Sequence, residues 1–162
     1  MHPLLEELTF QIDDMRIRLH RLIFSISSIA FLIIGFILYI LFRNESLIMF
    51  SWLKALGLYD SIHHFRNSIT YSLPSWIYGS LPYALWDLSL GLILIAIWAK
   101  RMSFYIKIFI ALLVFLLGPV IELFQLTNII RGTFDIVDLT CLVLANIAII
   151  LLLKIKFTFK TV

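Results

Sequence analysis

Asp87, Glu122, Asp135 and Asp138 stand inside, or at the edges of, stretches that are otherwise almost continuously apolar. A carboxylate carried to the centre of a bilayer costs about 2.5–3.5 kcal/mol on insertion scales, so such groups face a partner, a water-filled cavity or a bound cation. Gln125 follows Glu122 by three positions and Asp135 precedes Asp138 by three, so on a helix each pair would share a face. Arg131 lies between the two pairs and is the nearest cation. Two kinds of chemistry suit this set. A guanidinium fork takes a phosphate or carboxylate in two parallel hydrogen bonds. Carboxylates take an amine or a hard divalent cation such as Mg²⁺ or Mn²⁺, which prefers oxygen donors.

Positioning these groups is the task of a chain whose solvent must be lipid. Of its 162 residues 62% are apolar and 14% are charged, with mean hydropathy +1.02. Soluble domains are nearer half apolar and a quarter charged. The sequence predicts an all-α integral membrane protein, a four-transmembrane-helix bundle with N-terminal and extracytoplasmic interfacial helices. The spans are expected at residues 22–42, 82–99, 108–125 and 138–153, each long enough to cross about 30 Å of hydrocarbon. Residues 1–21 form an amphipathic segment, with Leu4, Leu5, Leu8, Ile12, Met15 and Leu19 mostly three and four apart, which is either a helix lying on the inner face of the membrane or a solvated lead-in helix to the first span. Residues 43–81 form an extracytoplasmic, interfacial segment rich in aromatics, residues 126–137 a short extracytoplasmic loop and residues 154–162 a cytoplasmic tail.

Sidedness follows from Lys and Arg. Arg16, Arg18, Arg21, Lys100, Arg101, Lys107, Lys154, Lys156 and Lys160 fall on one side of this arrangement, and Arg43, Lys54, Arg66 and Arg131 on the other. The richer side is expected in the cytoplasm, giving a multi-pass protein of the cell membrane with both termini inside. Asp87, Glu122 and Asp138 then all lie towards the outer ends of their helices. Gly91, Gly118 and Ala145 fall on the same faces as those acids, and small residues let membrane helices approach closely. Three helices are therefore expected to converge on one polar cluster.

Simpler roles compete for several residues. Asp135 is well placed to cap the fourth helix, and either Asp87 or Glu122 could be a neutral acid joining helices. Pro119 after Gly118 suggests a kink. The adjacent His63 and His64 face different ways on a helix and make no metal pair. Cys141 is the single cysteine, which excludes an internal disulfide. A formal charge of +3, scattered along the chain, gives no ground for nucleic acid. No nucleophile and base stand at a useful spacing, and no cofactor is indicated.

The run Glu122-Leu-Phe-Gln125, followed by Arg131-Gly-Thr-Phe-Asp135-Ile-Val-Asp138, resembles the core signature of the VanZ-like family of small membrane proteins. Ser80-Leu-Pro-Tyr-Ala-Leu-Trp-Asp87 resembles a further segment of small relatives. The chain departs from the pattern at Leu142, Ala145 and Ile149, and has Tyr83 where relatives tend to carry an acid. The resemblance implies a role at the cell envelope, linked to glycopeptide-antibiotic tolerance, with Glu122, Gln125, Arg131, Asp135 and Asp138 as site residues. Asp87 joins them from its position alone. Three readings are carried forward. The first is a binder of the headgroup of a membrane lipid or envelope precursor. The second is a metal-dependent enzyme acting on a phospholipid or glycolipid. The third is a small subunit of a larger membrane assembly or homo-oligomer.

Overall fold

The computed structural model describes residues 3–130 and 133–154. Arg131, and the tail from residue 155 onwards, lie outside the described residues. Within them the chain is entirely helical: α1 (Pro3–Phe42), α2 (Ile48–Ala55), α3 (Tyr59–Ser68), α4 (Ser75–Gly79), α5 (Leu81–Trp98), α6 (Phe104–Leu117), α7 (Pro119–Leu126) and α8 (Ile136–Lys154), with a single 3₁₀ turn at Ala99–Arg101. Four helical stretches are long and apolar enough to cross a membrane: Glu7–Phe42, Leu81–Arg101, Phe104–Leu126 and Ile136–Lys154. This is a multi-pass membrane architecture.

Three features add detail to the sequence expectation. No glycine or proline interrupts residues 4–34, so the backbone has no cause to break at residue 21. The amphipathic segment and the first span are accordingly one 40-residue helix, about 60 Å long at 1.5 Å per residue. The third span is two helices. Gly118 leaves helical geometry at φ −103°, ψ −90°, and Pro119 restarts the chain as the first residue of α7. Proline has no N–H to offer and its ring crowds the carbonyl four residues back, which disfavours carrying α6 on through it. The span also begins earlier than residue 108, because Ser103 Oγ accepts from Ile106 N at 3.3 Å and caps α6. Finally, residues 43–81 fold into the three short helices α2, α3 and α4.

Helix α5 is the centre of the bundle and packs against α1, α6 and α8. Ile95 of α5, Ile110 and Val114 of α6, and Ile149 and Leu153 of α8 form its buried core. Close approach depends on glycine at two contacts. A Cβ on Gly91 would lie 2.4 Å from Ile149 Cδ1, and one on Gly35 would lie 2.7 Å from Trp86 Nε1. Helices α1 and α5 are also joined by reciprocal hydrogen bonds, Ser28 Oγ to Ser89 O and Ser89 Oγ to Ser28 O, each 2.8 Å. Polar links of this kind contribute roughly 0.6 kcal/mol in membrane proteins. The outer apolar faces of α1, α6 and α8 stay exposed, as lipid-facing surfaces must.

The two ends of the bundle are built differently. At one, the 3₁₀ turn brings Lys100 to 3.0 Å from Asp14 of α1, and Arg21 Nε donates to Ala96 O at 3.1 Å. At the other, α2 and α3 fold back on the end of α1, burying Phe50 and Leu53 against Ile40. Helix α2 stops at Gly57, whose φ of +69° suits glycine, with Gly57 N bonded to Lys54 O and Leu58 N to Leu53 O. Arg66 of α3 closes the end of α1 by donating to the carbonyls of Ile40 and Arg43.

Candidate functional site

The end of the bundle remote from Lys100 encloses a cavity of about 730 Å³. Its walls come from five places: the loop between α1 and α2, α4, the first turns of α5, the α6–α7 break with α7, and the first turns of α8 with the residues leading into them. Asp87, Glu122, Gln125, Asp135 and Asp138 all line it. Of the six residues singled out from the sequence, Arg131 is the one outside the described residues.

Local structure explains each placement. Asp87 lies at the end of the second turn of α5, where the α6–α7 break opens space for it. A Cβ on Gly118 would be 3.2 Å from Asp87 Oδ2 and 3.1 Å from Leu142 Cδ2. Asn146 of α8 donates to Asp87 Oδ2 at 2.6 Å, and its Nδ2 also reaches Leu142 O at 2.9 Å. Both side chains are buried, so the pair forms the floor of the polar region, well into the apolar bundle. Glu122 stands on the first turn of α7 and is 7% exposed; its Oε2 is buried with no hydrogen-bond partner among the described residues. The Asp135 backbone amide faces the Glu122 carboxyl group. Asp138 is buried on the first turn of α8, whereas Gln125 is half-buried one turn beyond Glu122.

Asp135 does the work of a helix cap: its Oδ1 accepts from Val137 N at 2.8 Å, satisfying one of the free amides at the start of α8. It is exposed and also borders the cavity, so the capping and lining roles coexist.

Sequence reasoning missed Arg43, the cation of this wall. It appeared only as a loop charge following the first span. In the structure its Nη2 donates to Tyr83 OH at 2.6 Å, and its guanidinium carbon lies 5.3 Å from the Tyr83 ring centre and 5.6 Å from that of Tyr39. Its Nε is buried without an acceptor among the described residues. No carboxylate among the described residues lies within ion-pair distance of it. Tyr83, noted from sequence as a replacement for an acid, is thus its hydrogen-bond partner. A clue was available in retrospect, since Arg43 follows directly on an apolar run and Tyr39 precedes it by one helical turn. Nothing local pointed to Asn146 as the partner of Asp87, which is fifty-nine positions away.

The surroundings of Arg43 are held by a second polar set, outside the spans. Glu45 accepts from Tyr59 OH and from His63 Nδ1, the latter at 3.0 Å, and its Oε1 is 3.4 Å from Arg66 Nε. The Tyr59 hydroxyl, followed by His63, holds the Glu45 carboxyl below the ordinary glutamate range. The same contact pushes the Tyr59 phenol up.

Chemically, the described residues of the cavity present one guanidinium and four carboxyl groups, together with tyrosine, tryptophan and serine. Among the described residues no three His, Cys, Asp or Glu side chains are grouped so as to hold a metal ion. At about 730 Å³ the cavity falls within the range of small-molecule sites, roughly 300–1,000 Å³. Comparison of the chain with protein-family models, with curated proteins and with solved structures gives no match.

Proposed function

We propose that this chain is a multi-pass cell-membrane protein that binds the headgroup of a membrane lipid or envelope precursor in the cavity bordered by Asp87, Glu122, Gln125, Asp135 and Asp138. The observation that carries this reading is a buried acceptor and a buried donor, Glu122 Oε2 and Arg43 Nε, both without a partner among the described residues, on the wall of a polar cavity in an otherwise apolar bundle. Leaving such a group without a partner costs about 1–3 kcal/mol, and a polar ligand would remove that cost. The metal-dependent enzyme is less well supported, because the carboxyl groups border the cavity without forming a grouped donor set among the described residues.

The proposed orientation puts the cavity at the outer leaflet, with the Lys100–Arg101 turn inside. In that frame α2–α4 lie in the outer interface, a reading supported by the exposed aromatics Trp52, Phe65, Tyr71 and Trp76. A VanZ-like role at the envelope, including tolerance of glycopeptide antibiotics, is compatible with such a site and rests on the resemblance of residues 122–138.

The test is purification from membranes followed by mass spectrometry of co-bound lipid. Wild type is expected to retain a defined lipid or precursor. Glu122→Gln and Asp138→Asn should lose it while their abundance in the membrane stays near wild type. Loss of protein together with ligand would instead assign these acids to holding the fold, and an unselective sample of bulk lipid in the wild type would refute the proposal.

A further inference from the structure

We infer that the ligand is a zwitterionic phospholipid with a primary ammonium, its phosphodiester at Arg43, its ammonium at Glu122, and an acyl chain passing Trp86 into a groove on α1. This inference rests on the headgroup reading above and adds the charge pattern and chemical class of the occupant.

The phosphate position follows from Arg43. Its guanidinium is flanked by two tyrosine rings, uses Nη2 on Tyr83 OH, and keeps Nε buried and unpaired with no carboxylate at ion-pair distance among the described residues. A phosphodiester supplies the missing acceptor and countercharge, and guanidinium is the side chain best shaped to meet it. The ammonium position follows from Glu122. Its Oε2 is a buried acceptor without a donor among the described residues, and Asp135 and Asp138 border the same cavity. A primary ammonium brings N–H donors together with positive charge; a quaternary ammonium brings charge without donors. A headgroup with phosphate alone would leave the acids facing a like charge.

The chain position follows from Trp86. This residue lines the polar cavity and also an apolar groove of about 440 Å³ formed with Leu32, Ile33, Phe36 and Met49. The indole lies on α1 because Gly35 leaves room for it. One aromatic wall is therefore shared between a polar chamber and an apolar channel, the arrangement that an amphiphile's two halves require.

The experiment uses the full chain, stripped of lipid in detergent and titrated by native mass spectrometry. The probes are phosphatidylethanolamine, phosphatidylcholine and phosphatidylglycerol with identical acyl chains, and soluble glycerophosphoethanolamine. Wild type should bind phosphatidylethanolamine roughly tenfold or more tightly than either other lipid, the scale of one charge-assisted hydrogen bond. Glycerophosphoethanolamine should bind much more weakly for want of the chain. Arg43→Gln should weaken phosphatidylethanolamine and phosphatidylcholine alike, whereas Glu122→Gln should abolish the preference between them. Equal or tighter binding of phosphatidylcholine or phosphatidylglycerol by wild type overturns the ammonium assignment and leaves the headgroup reading standing. Equal binding of glycerophosphoethanolamine overturns the groove. Absence of saturable binding by any lipid overturns both the inference and the headgroup reading. The wild-type selectivity decides the matter even where a variant fails to fold.

Discussion

Asp87 depends on one amide, and removing that amide measures the dependence. Asn146→Ala leaves a buried carboxyl group without its 2.6 Å donor and should lower unfolding stability in detergent by about 1–3 kcal/mol. The double variant with Asp87→Ala should lose less than the sum of the two single changes, a coupling of about 0.5–3 kcal/mol for residues in one hydrogen-bond network. Additive losses would show that the contact does not contribute. Glu45 makes a different prediction, because its carboxyl group titrates outside the spans. The hydrogen bonds from Tyr59 and His63 depress its pKa in the folded state, so the stability they confer is complete above the unfolded glutamate range. It is lost as pH falls through the lower, folded value. Acidification should therefore loosen the α2–α3 cap, and Tyr59→Phe should move that loosening to higher pH. Proteolysis near Gly57 across an acid titration would detect it, and an unchanged midpoint in Tyr59→Phe would refute the account. At this scale, sequence exposed the acids because a carboxylate in an apolar run is costly wherever it lies. It hid Arg43 and Asn146, since their partners Tyr83 and Asp87 are brought to them only by the packing of α5 against α1 and α8.

Helices meet here through what their faces lack. Gly91 and Gly118 share faces with Asp87 and Glu122, a pattern readable from spacing alone, and the structure puts Ile149 and Leu142 in the space that each glycine leaves. Gly91→Ala would set a methyl group against Ile149, which is 1% exposed in the bundle core. Overpacking of this kind costs about 1–3 kcal/mol, and Ile149→Ala in the same chain should restore part of the loss. Thermal unfolding in a fixed detergent would check the pair, and a Gly91→Ala protein as stable as wild type would show that α5 and α8 are less tightly packed. The α6–α7 break was partly legible, since Pro119 announces a disturbance. Its depth was not, because proline alone does not say whether a helix bends or ends. Gly118, where the chain leaves helical geometry, lies against the Asp87 carboxyl group and Leu142, neighbours that its sequence position does not disclose. The continuity of α1 shows the converse. A change from amphipathic to uniformly apolar composition near residue 21 alters what surrounds a helix without giving its backbone a reason to stop.

At the scale of the whole molecule, four apolar stretches and a polar end follow from composition and length, because hydrocarbon admits little besides closed helical hydrogen bonding. The expected direction of the bundle follows from charge, and under the proposed function it decides which leaflet would supply a ligand. Lys100 and Arg101 occupy the turn at one end, where Lys100 pairs with Asp14, while the cavity opens at the other among Arg43, Trp76 and Asp135. If the basic turn is cytoplasmic, an impermeant thiol reagent applied to intact cells separates the two ends. With Cys141 replaced by alanine, cysteines at the exposed positions Asp60 and Thr133 should be labelled from outside. A cysteine at Tyr105, which is 81% exposed at the start of α6, should react only after the membrane is opened. The inverted pattern would keep all four spans and move the cavity to the cytoplasmic leaflet, where the available lipids and precursors differ. Labelling of Tyr105→Cys and Thr133→Cys from the same side would be more serious. Residues 104–126 would then fail to cross, and α7 could not bring Glu122 from the opposite side of the membrane to Asp87 and Asp138. The cavity exists only if α6 and α7 together span the bilayer, so this one measurement tests the fold and the site at once.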